Sequence, residues 1–585
     1  MRSAAGPSVR PRSQPALTLG AIKSLVFSLP VLLALWSISA SQASAQSGSA
    51  QNLQPENQSN IVRGTVINSV TGQPIGRALV YSPDNRYAMF TDSEGHFEFT
   101  LPQAAPGEGI IGGNDGSLTW LMARKPGFLD DRNGRAQIRV SPGSDITIPL
   151  TPEALIKGRV SLPTDEPTRG INVQLFSRQV QDGTPRWRPS NAAVANSNGE
   201  FRFAELQPGS YKVFTREWMD NDPEGTVPGG QRYGFPPVYY PRATDFATAS
   251  TIQLTAGQIF EADISLVRQP YYPVKIPVTN AEQNGGMSIT VSPQGQRGPG
   301  YSLGYNRSKN VIDGQLPNGK YLVEASSFGP NSASGSVNLT VAGAPAEGPT
   351  LALARNNSIT VNVQEEFTST NWQAHGTMSV GGKSFAMPKL RLDLDLRVEA
   401  VEDDFQQLRG GSLRPPTGTN DDLMVLENLA PGRYWLRPHA QRGYVASATM
   451  GGTDLLHEPL VVVPGASTPI DITMRDDSAE IEGTLIRLPA TPIGSGGNSL
   501  GFIYCIPLPN STGQLLGITA SADGKFDYQM VAPGVYRVIA FSAEQHDIPY
   551  RDPEAMKIYE QKGQVVHFEP GQKVSLQLQI ISGSE

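Results

Sequence analysis

The chain has 585 residues, of which 60 are glycine and 48 are proline, and only 17% are charged. This composition is typical of many short strands joined by turns, and it argues against a protein built mainly from long helices. The net charge is −7, and an acidic surface repels phosphate backbones, so nucleic acid is not an expected partner.

Residues 1–45 have the pattern of a secretory signal peptide. Four basic residues precede an apolar run that starts at Leu25, and the small residues Ala43-Ser44-Ala45 follow it. We expect cleavage after Ala45, which removes four cations and no anions and leaves a net charge of −11. The alternative is a retained anchor, but the run contains Pro30 and is shorter than the roughly 20 residues that span a bilayer. The prediction is an exported protein, periplasmic, outer-surface or extracellular, with no membrane span after cleavage.

Residues 46–60 are rich in Ser, Gln and Asn and are predicted to be a disordered leader. The first predicted sandwich covers residues 61–151. It contains Ile61-Val-Arg-Gly-Thr-Val66, then Thr71-Gly-Gln-Pro74, then Asp92-Ser-Glu-Gly-His-Phe97. This order of Gly-x-Val, Thr-Gly-x-Pro-Ile, Ala-x-Val and Asp-x-x-Gly-x-Phe resembles the carboxypeptidase regulatory-like domain. The resemblance implies a transthyretin-like β-sandwich, from which a glycine-rich insertion at 107–116 departs.

The second predicted sandwich, residues 152–268, contains a segment that returns later in the chain. Asn198-Gly199 supplies a tight turn, Phe201 and Phe203 alternate with polar residues, and Tyr211 follows a second turn. The same residue pattern recurs in the fifth predicted sandwich, residues 477–585, where Gly524 and Tyr536 are again 12 residues apart, as Gly199 and Tyr211 are. Identical spacing indicates one fold used more than once.

The third and fourth predicted sandwiches, residues 269–355 and 356–476, keep only the second half of this segment. Together the repeats predict an all-β chain: a tandem array of about five antiparallel β-sandwiches, Ig-like or transthyretin-like. One short helix is expected near 553–562, with Asp552 as its cap, Pro553 in its first turn and Gly563 beyond its end.

A tyrosine recurs in four of the five predicted sandwiches, at Tyr211, Tyr321, Tyr434 and Tyr536. Each follows a Pro-Gly or Asn-Gly turn. This is the pattern of a tyrosine corner, in which the ring is buried and the hydroxyl returns to the backbone a few residues upstream. We interpret these four residues as structural.

No residue pattern indicates catalysis, so the protein is predicted not to be an enzyme and to need no cofactor or metal. None of the six histidines belongs to a His-Glu-x-x-His motif, and in enzymes that carry the resembled domain it is an accessory unit. An accessory part of a carboxypeptidase-type enzyme is therefore the least favoured function.

The only cysteine, Cys505, lies in an apolar run and is expected to be buried and inert. Residues 220–225 resemble half a calcium loop, but Gln231 replaces its final glutamate, so a solvated turn is favoured.

The aromatic residues of the second sandwich are the candidate ligand-binding residues. They are Trp187, Trp218, Tyr233, Phe235, Tyr239 and Tyr240. Flat rings stack on sugars, and the sandwich also resembles starch-binding-like modules, so one hypothesis is a carbohydrate-binding protein of the cell envelope. The alternative is a spacer or scaffold that binds other envelope proteins. The first hypothesis predicts exposed, coplanar rings, and the second predicts buried rings.

Overall fold

The computed structural model describes residues 61–581, apart from residues 84–85, 101–118, 130–137, 141–142, 144, 164–169, 221–229, 282–285, 297, 330, 370–375, 381–382, 402–409, 466–467, 487–500, 510, 512, 522, 543 and 546. The predicted signal peptide, the leader, the insertion at 107–116 and most of the acidic turn at 220–225 lie outside the described residues. The described chain is almost entirely β-structure, which confirms the predicted fold class. No helix in the described residues is long and apolar enough to cross a membrane.

Five successive β-sandwiches each surround their own cluster of buried apolar side chains. The clusters draw on residues 62–150, 154–266, 274–353, 359–474 and 479–580. Alternating burial along the strands produces these cores, because successive side chains of a strand point to opposite faces. The domain boundaries given by the sequence remain predictions.

The first sandwich has seven strands: β1 (Ile61–Asn68), β2 (Leu79–Tyr81), β3 (Ala88–Phe90), β4 (His96–Thr100), β5 (Thr119–Arg124), β6 (Ile138–Val140) and β7 (Asp145–Leu150). They form one sheet in the order β4-β1-β7 and a second in the order β3-β2-β5-β6. Val66, Val80, Leu121 and Ile148 are fully buried between the two sheets.

The second sandwich has eleven strands: β8 (Ala154–Ser161), β9 (Asn172–Gln181), β10 (Thr184–Val194), β11 (Glu200–Leu206), β12 (Gly209–Thr215), β13 (Trp218–Met219), β14 (Arg232–Phe235), β15 (Val238–Tyr239), β16 (Ile252–Leu254), β17 (Ile259–Glu261) and β18 (Ile264–Ser265). One sheet runs β10-β9-β12-β15, with β16 also on β12, and the other runs β11-β8-β17, with β18 also on β8. The long β9–β10 hairpin extends from the first of these sheets.

The third sandwich continues with β19 (Gln269–Thr279), β20 (Met287–Pro293), β21 (Gly304–Asn306), β22 (Val311–Pro317), β23 (Gly319–Ser327), β24 (Ala333–Val341), β25 (Ala346–Glu347), β26 (Leu351–Ala352) and β27 (Ala354–Arg355). Its first sheet, β13-β14-β19-β22-β21, includes two strands from the preceding segment, so the second and third sandwiches share a sheet. The other sheet has the order β20-β23-β24-β27.

The fourth sandwich contains β28 (Asn357–Glu366), β29 (Thr377–Val380), β30 (Lys383–Ala386), helix α1 (Lys389–Asp393), β31 (Leu394–Ala400), β32 (Gly410–Ser412), β33 (Met424–Leu429), β34 (Gly432–Ala440), β35 (Tyr444–Met450), β36 (Thr453–Asp454), β37 (Leu460–Val462) and β38 (Ile470–Arg475). Its sheets have the orders β33-β28-β38-β35-β36 and β32-β31-β34-β37, beside a β29–β30 hairpin.

The fifth sandwich contains β39 (Ala479–Ile486), β40 (Phe502–Pro507), β41 (Leu516–Thr519), β42 (Lys525–Val531), β43 (Gly534–Phe541), helix α2 (Pro553–Met556), β44 (Gln564–Phe568) and β45 (Lys573–Ile581). Its sheet follows the order β41-β40-β43-β45-β39-β42, with β44 also on β43. Helix α2 starts where the sequence predicts, because the Asp552 carboxylate accepts hydrogen bonds from two amides of the first turn. It tightens into a 3-10 turn (Lys557–Tyr559) and therefore ends earlier than residue 562.

The strongest copies of the repeat share a glycine on the first strand and a phenylalanine directly opposite on the strand after the turn. The pairs are Gly64 with Phe97, Gly158 with Phe201, and Gly483 with Phe526. A Cβ atom at Gly158 would lie 2.2 Å from the carbonyl oxygen of Ala262 and 2.8 Å from the Phe201 ring. Only glycine therefore leaves space for the aromatic ring and the neighbouring strand together.

In every sandwich the first strand pairs in parallel with a late strand. The parallel pairs are β1–β7, β8–β17, β19–β25, β28–β38 and β39–β45. Most other pairs are antiparallel, as predicted. Because parallel neighbours point the same way, the chain enters each sandwich at one end and leaves it at the other.

The four recurrent tyrosines are buried, and each hydroxyl donates a hydrogen bond to the backbone carbonyl four residues upstream. The acceptors are Gln207 for Tyr211, Pro317 for Tyr321, Ala430 for Tyr434 and Ala532 for Tyr536, at 2.7–2.9 Å. Each hydrogen bond therefore connects a central strand to the turn that precedes it.

Gly158→Ala tests the glycine–phenylalanine pair. We expect it to lower the free energy of unfolding of the second sandwich by about 1–3 kcal/mol, because the added methyl group overpacks the site. Gly304→Ala is the control, since the nearest atom to its new Cβ would be 3.8 Å away. Equal melting of the two variants in calorimetry would contradict the explanation.

Tyr211→Phe tests the corner. Removing the hydroxyl is expected to cost about 1 kcal/mol and to lower the melting temperature of the second sandwich without affecting ligand binding. Tyr240→Phe is the matched control, because Tyr240 is partly buried in the same sandwich but does not occupy a corner. An unchanged melting temperature for Tyr211→Phe would count against a structural role.

Candidate functional site

Two of the six aromatic residues predicted to bind ligand have no open ring face. Phe235 and Tyr239 are only 1% and 3% exposed, so neither is available for stacking. The Tyr239 ring stacks on Phe214 at 5.0 Å, and its hydroxyl donates to the Pro299 carbonyl of the third sandwich. These two residues build the core and the junction between sandwiches.

The other four rings are partly exposed, but each packs against its own neighbour. Trp187 lies edge-on to Phe246 at 5.8 Å, with the Lys212 ammonium 5.2 Å from its ring centre. Trp218 packs on the buried Phe235 ring at 5.5 Å. Tyr240 contacts Phe260 at 5.8 Å, and the Arg268 guanidinium covers Tyr233 at 4.0 Å. Each of these four rings thus packs against a different partner, and their role in ligand binding remains a prediction.

A more exposed set of rings lies on the first sandwich. On the sheet β3-β2-β5-β6, Val80, Leu121 and Ala123 point into the core, so the residues that alternate with them point outward. The outward set includes two of the most exposed aromatic residues in the described chain, Phe90 at 65% and Trp120 at 45%. We call this set the outer aromatic face; its members are Leu79, Tyr81, Phe90, Trp120, Met122 and Arg124.

Neither Phe90 nor Trp120 is among the predicted site residues, although the sequence carries a signal for Trp120. Residues 120–123 are Trp-Leu-Met-Ala, which is apolar at both alternating positions. Such a strand has apolar side chains on both of its faces, but a single core can bury only one of the two faces.

The turn of the β9–β10 hairpin contacts the fourth and fifth sandwiches. The Asp182 carboxylate forms an ion pair with Arg437 and accepts a hydrogen bond from the Tyr550 hydroxyl. The Gly183 carbonyl accepts a 2.9 Å hydrogen bond from the Arg551 amide, and the Tyr550 ring occupies the space beside Gly183. We call this arrangement, together with the contacts of Arg186 described next, the hairpin clamp.

Arg186 extends the clamp along β10. Its side chain is 3% exposed, its Nη1 donates to the Val401 carbonyl at 3.2 Å, and its Nε is 3.5 Å from a Glu399 oxygen. Glu399 also faces Arg188 at 3.6 Å and Arg437 at 3.9 Å. Breaking a buried ion pair strands its partner in a poorly solvated site, so these contacts oppose separation of the sandwiches.

Glu217 lies at the junction of the second and third sandwiches. Its amide donates to the Gly300 carbonyl at 3.1 Å, and its Oε1 accepts from the Ser302 amide at 2.5 Å. Its Oε2 is enclosed, as is the Tyr271 hydroxyl, and neither atom has a hydrogen-bond partner within the described residues. Burial raises the pKa of Glu217 to about 7, although the hydrogen bonds from Ser302 and the charge of Arg216 act in the opposite direction.

Two hollows occur on the fourth and fifth sandwiches. A groove of about 420 Å³ is lined by charged residues of the fifth, among them Lys573, which is 2.9 Å from Glu482. A cleft of about 140 Å³ between the fourth and fifth is lined by His439, Tyr444 and Met530, and is smaller than typical ligand pockets of about 300–1,000 Å³.

Reactive side chains are few in the part of the chain that the structure describes. Cys505 is buried, and burial raises the pKa of its thiol to about 12, so the thiolate does not form at neutral pH. No group of three or more His, Cys, Asp or Glu residues that could hold a metal ion occurs among the described residues.

No protein-family model and no curated protein matches the chain, so the resemblance to carboxypeptidase regulatory-like domains stays a prediction. Three solved structures illustrate the similarity that was found. They are the minor pilin GBS52 of Streptococcus agalactiae (13% identity over 36% of this chain and 95% of the pilin, TM-score 0.18), the pilus protein RrgB of Streptococcus pneumoniae (8% over 74% and 99%, TM-score 0.14) and the Bacillus anthracis TIE protein (8% over 71% and 68%, TM-score 0.14). At these TM-scores the similarities support no conclusion about function.

Glu217→Gln tests the junction through its pH dependence. The pKa is raised from the ordinary 4.5 to about 7, so the folded state holds the proton more tightly than the unfolded chain. The stabilisation is complete below pH 4.5 and is lost as the pH rises through 7, by up to about 3 kcal/mol. We expect wild type to lose stability relative to Glu217→Gln between pH 5 and pH 8 in denaturant titrations. Parallel pH profiles for the two proteins would contradict this.

Proposed function

We propose that the protein is an exported, non-catalytic scaffold whose sandwiches are fixed against one another so that binding surfaces are held in place. The hairpin clamp supports this proposal most directly. A string of independent modules needs only short linkers, whereas here one hairpin of the second sandwich contacts the fourth through the buried Arg186 and the fifth through Asp182.

The shared sheet adds to the same argument. Strands β13 and β14 lead the chain out of the second sandwich; β13 pairs with β14, and β14 pairs with β19 of the third. Tyr239 and Glu217 also join the loop around residues 299–302 to the second sandwich. Rotation at this junction would break strand pairing and enclosed hydrogen bonds at once, which favours a fixed arrangement over a flexible one.

Because the predicted aromatic residues of the second sandwich contribute largely to packing, the scaffold function is favoured over a carbohydrate site in that sandwich. Envelope proteins and polysaccharides remain the proposed classes of partner. Export rests on the predicted signal peptide.

Asp182→Ala tests the clamp. It removes the acceptor for Tyr550 and the partner of Arg437, which we expect to cost about 2 kcal/mol and to uncouple the melting of the second sandwich from that of the fourth and fifth. Differential scanning calorimetry would then resolve more transitions than in wild type.

Glu98→Ala is the matched control for this experiment. Glu98 pairs with Arg63 at 2.8 Å, but both side chains are about half exposed, so its removal should leave the calorimetric profile nearly unchanged. If Asp182→Ala and Glu98→Ala give the same profile, the sandwiches melt independently and the scaffold proposal fails.

A further inference from the structure

The outer aromatic face of the first sandwich is an apolar sheet surface that the rest of the described chain leaves open. Leu79 lies opposite Phe90 on one side and opposite Arg124 on the other, and Tyr81 lies opposite Met122. Trp120 is four residues before Arg124 on the same strand, which places Trp120 and Phe90 roughly 16 Å apart across the sheet. Tyr81 lies between them, so three rings follow one diagonal.

We propose that this face binds a polysaccharide by stacking its flat rings on the sugar rings of an extended chain. This inference rests on the proposed function in one respect: a scaffold that holds binding surfaces in place needs a surface that binds a partner. A diagonal of separated rings suits a ligand that is long, narrow and flat, because each ring meets a different sugar of the chain.

The exposed area favours this ligand over a protein partner. Aromatic side chains cover about 150–250 Å² each, so Phe90 and Trp120 together expose roughly 250 Å². A stable protein interface buries about 800 Å² on each partner, with its aromatic residues inside well-packed pockets. The area that these two most exposed rings of the face provide is too small for such an interface, but it is enough for a chain of sugars.

The charge on the outer aromatic face indicates which class of polysaccharide it binds. Arg124 is exposed, and its guanidinium lies 5.6 Å from the centre of the Tyr81 ring, beside the diagonal. Arg139 is a second arginine on this sheet, where its backbone pairs with Trp120. A cation at this position complements the carboxylate of a uronic acid, so the ligand class is an acidic polysaccharide.

The test uses the mature chain and two soluble probes, polygalacturonate as the acidic polysaccharide and a neutral β-glucan. Wild type is expected to bind polygalacturonate in isothermal titration calorimetry. Trp120→Ala and Phe90→Ala should each weaken binding about tenfold or more, because each removes a stacking surface of roughly 100 Å². Trp120→Phe keeps a flat ring and should keep most of the affinity.

Phe328→Ala is the matched control, because Phe328 is a 52% exposed ring on the third sandwich and should leave binding unchanged. Arg124→Met should weaken binding of polygalacturonate and leave binding of the neutral glucan unchanged. Equal wild-type affinity for both probes would overturn the acidic preference. No binding of either probe, or binding that resists both Trp120→Ala and Phe90→Ala, would overturn the site. Thermal melting of each variant shows that it folds, and the calorimetric test of the clamp is independent of all these results.

Discussion

The fit of a phenylalanine ring over a glycine constrains the repeated architecture of this protein. At Gly64, Gly158 and Gly483 the first strand has no side chain, and the ring from the opposite strand fills that space. The same glycines lie against the carbonyl of the parallel late strand. One small residue therefore allows three strands to approach closely, and the turn, the register and the closure of the sheet all depend on it.

Features of the fold that depend on local residue patterns could be predicted from the sequence, whereas contacts between residues far apart in the chain could not. The Asn198-Gly199 turn, the alternation of Phe201 and Phe203 and the position of Tyr211 are local features, and each hydroxyl of a tyrosine corner reaches only four residues back. The hairpin clamp joins Asp182 to Tyr550, which are 368 residues apart, and no local pattern reveals that contact. The raised pKa of Glu217 likewise depends on a junction between two sandwiches.

Whether an aromatic side chain is exposed is equally hard to predict from the sequence. Composition reveals that the second sandwich is rich in rings, but whether a ring is exposed depends on what packs over it. Phe235 is buried in the core of the second sandwich and Tyr239 at the junction with the third, whereas Phe90 and Trp120 are exposed on a sheet face of the first. Density of aromatic residues in a sequence is therefore a weaker guide to exposed rings than a strand that is apolar on both sides.

The parallel pairing of first and late strands has a mechanical consequence. Tension applied to the two ends of a sandwich would draw these neighbouring strands in opposite directions along their length. Their register extends over six residues in the first and fourth sandwiches and seven in the fifth, so the inter-strand hydrogen bonds would be strained in shear together instead of peeling one by one. Forced unfolding is governed by the height of the unfolding barrier, and such a geometry raises that barrier without adding a disulfide.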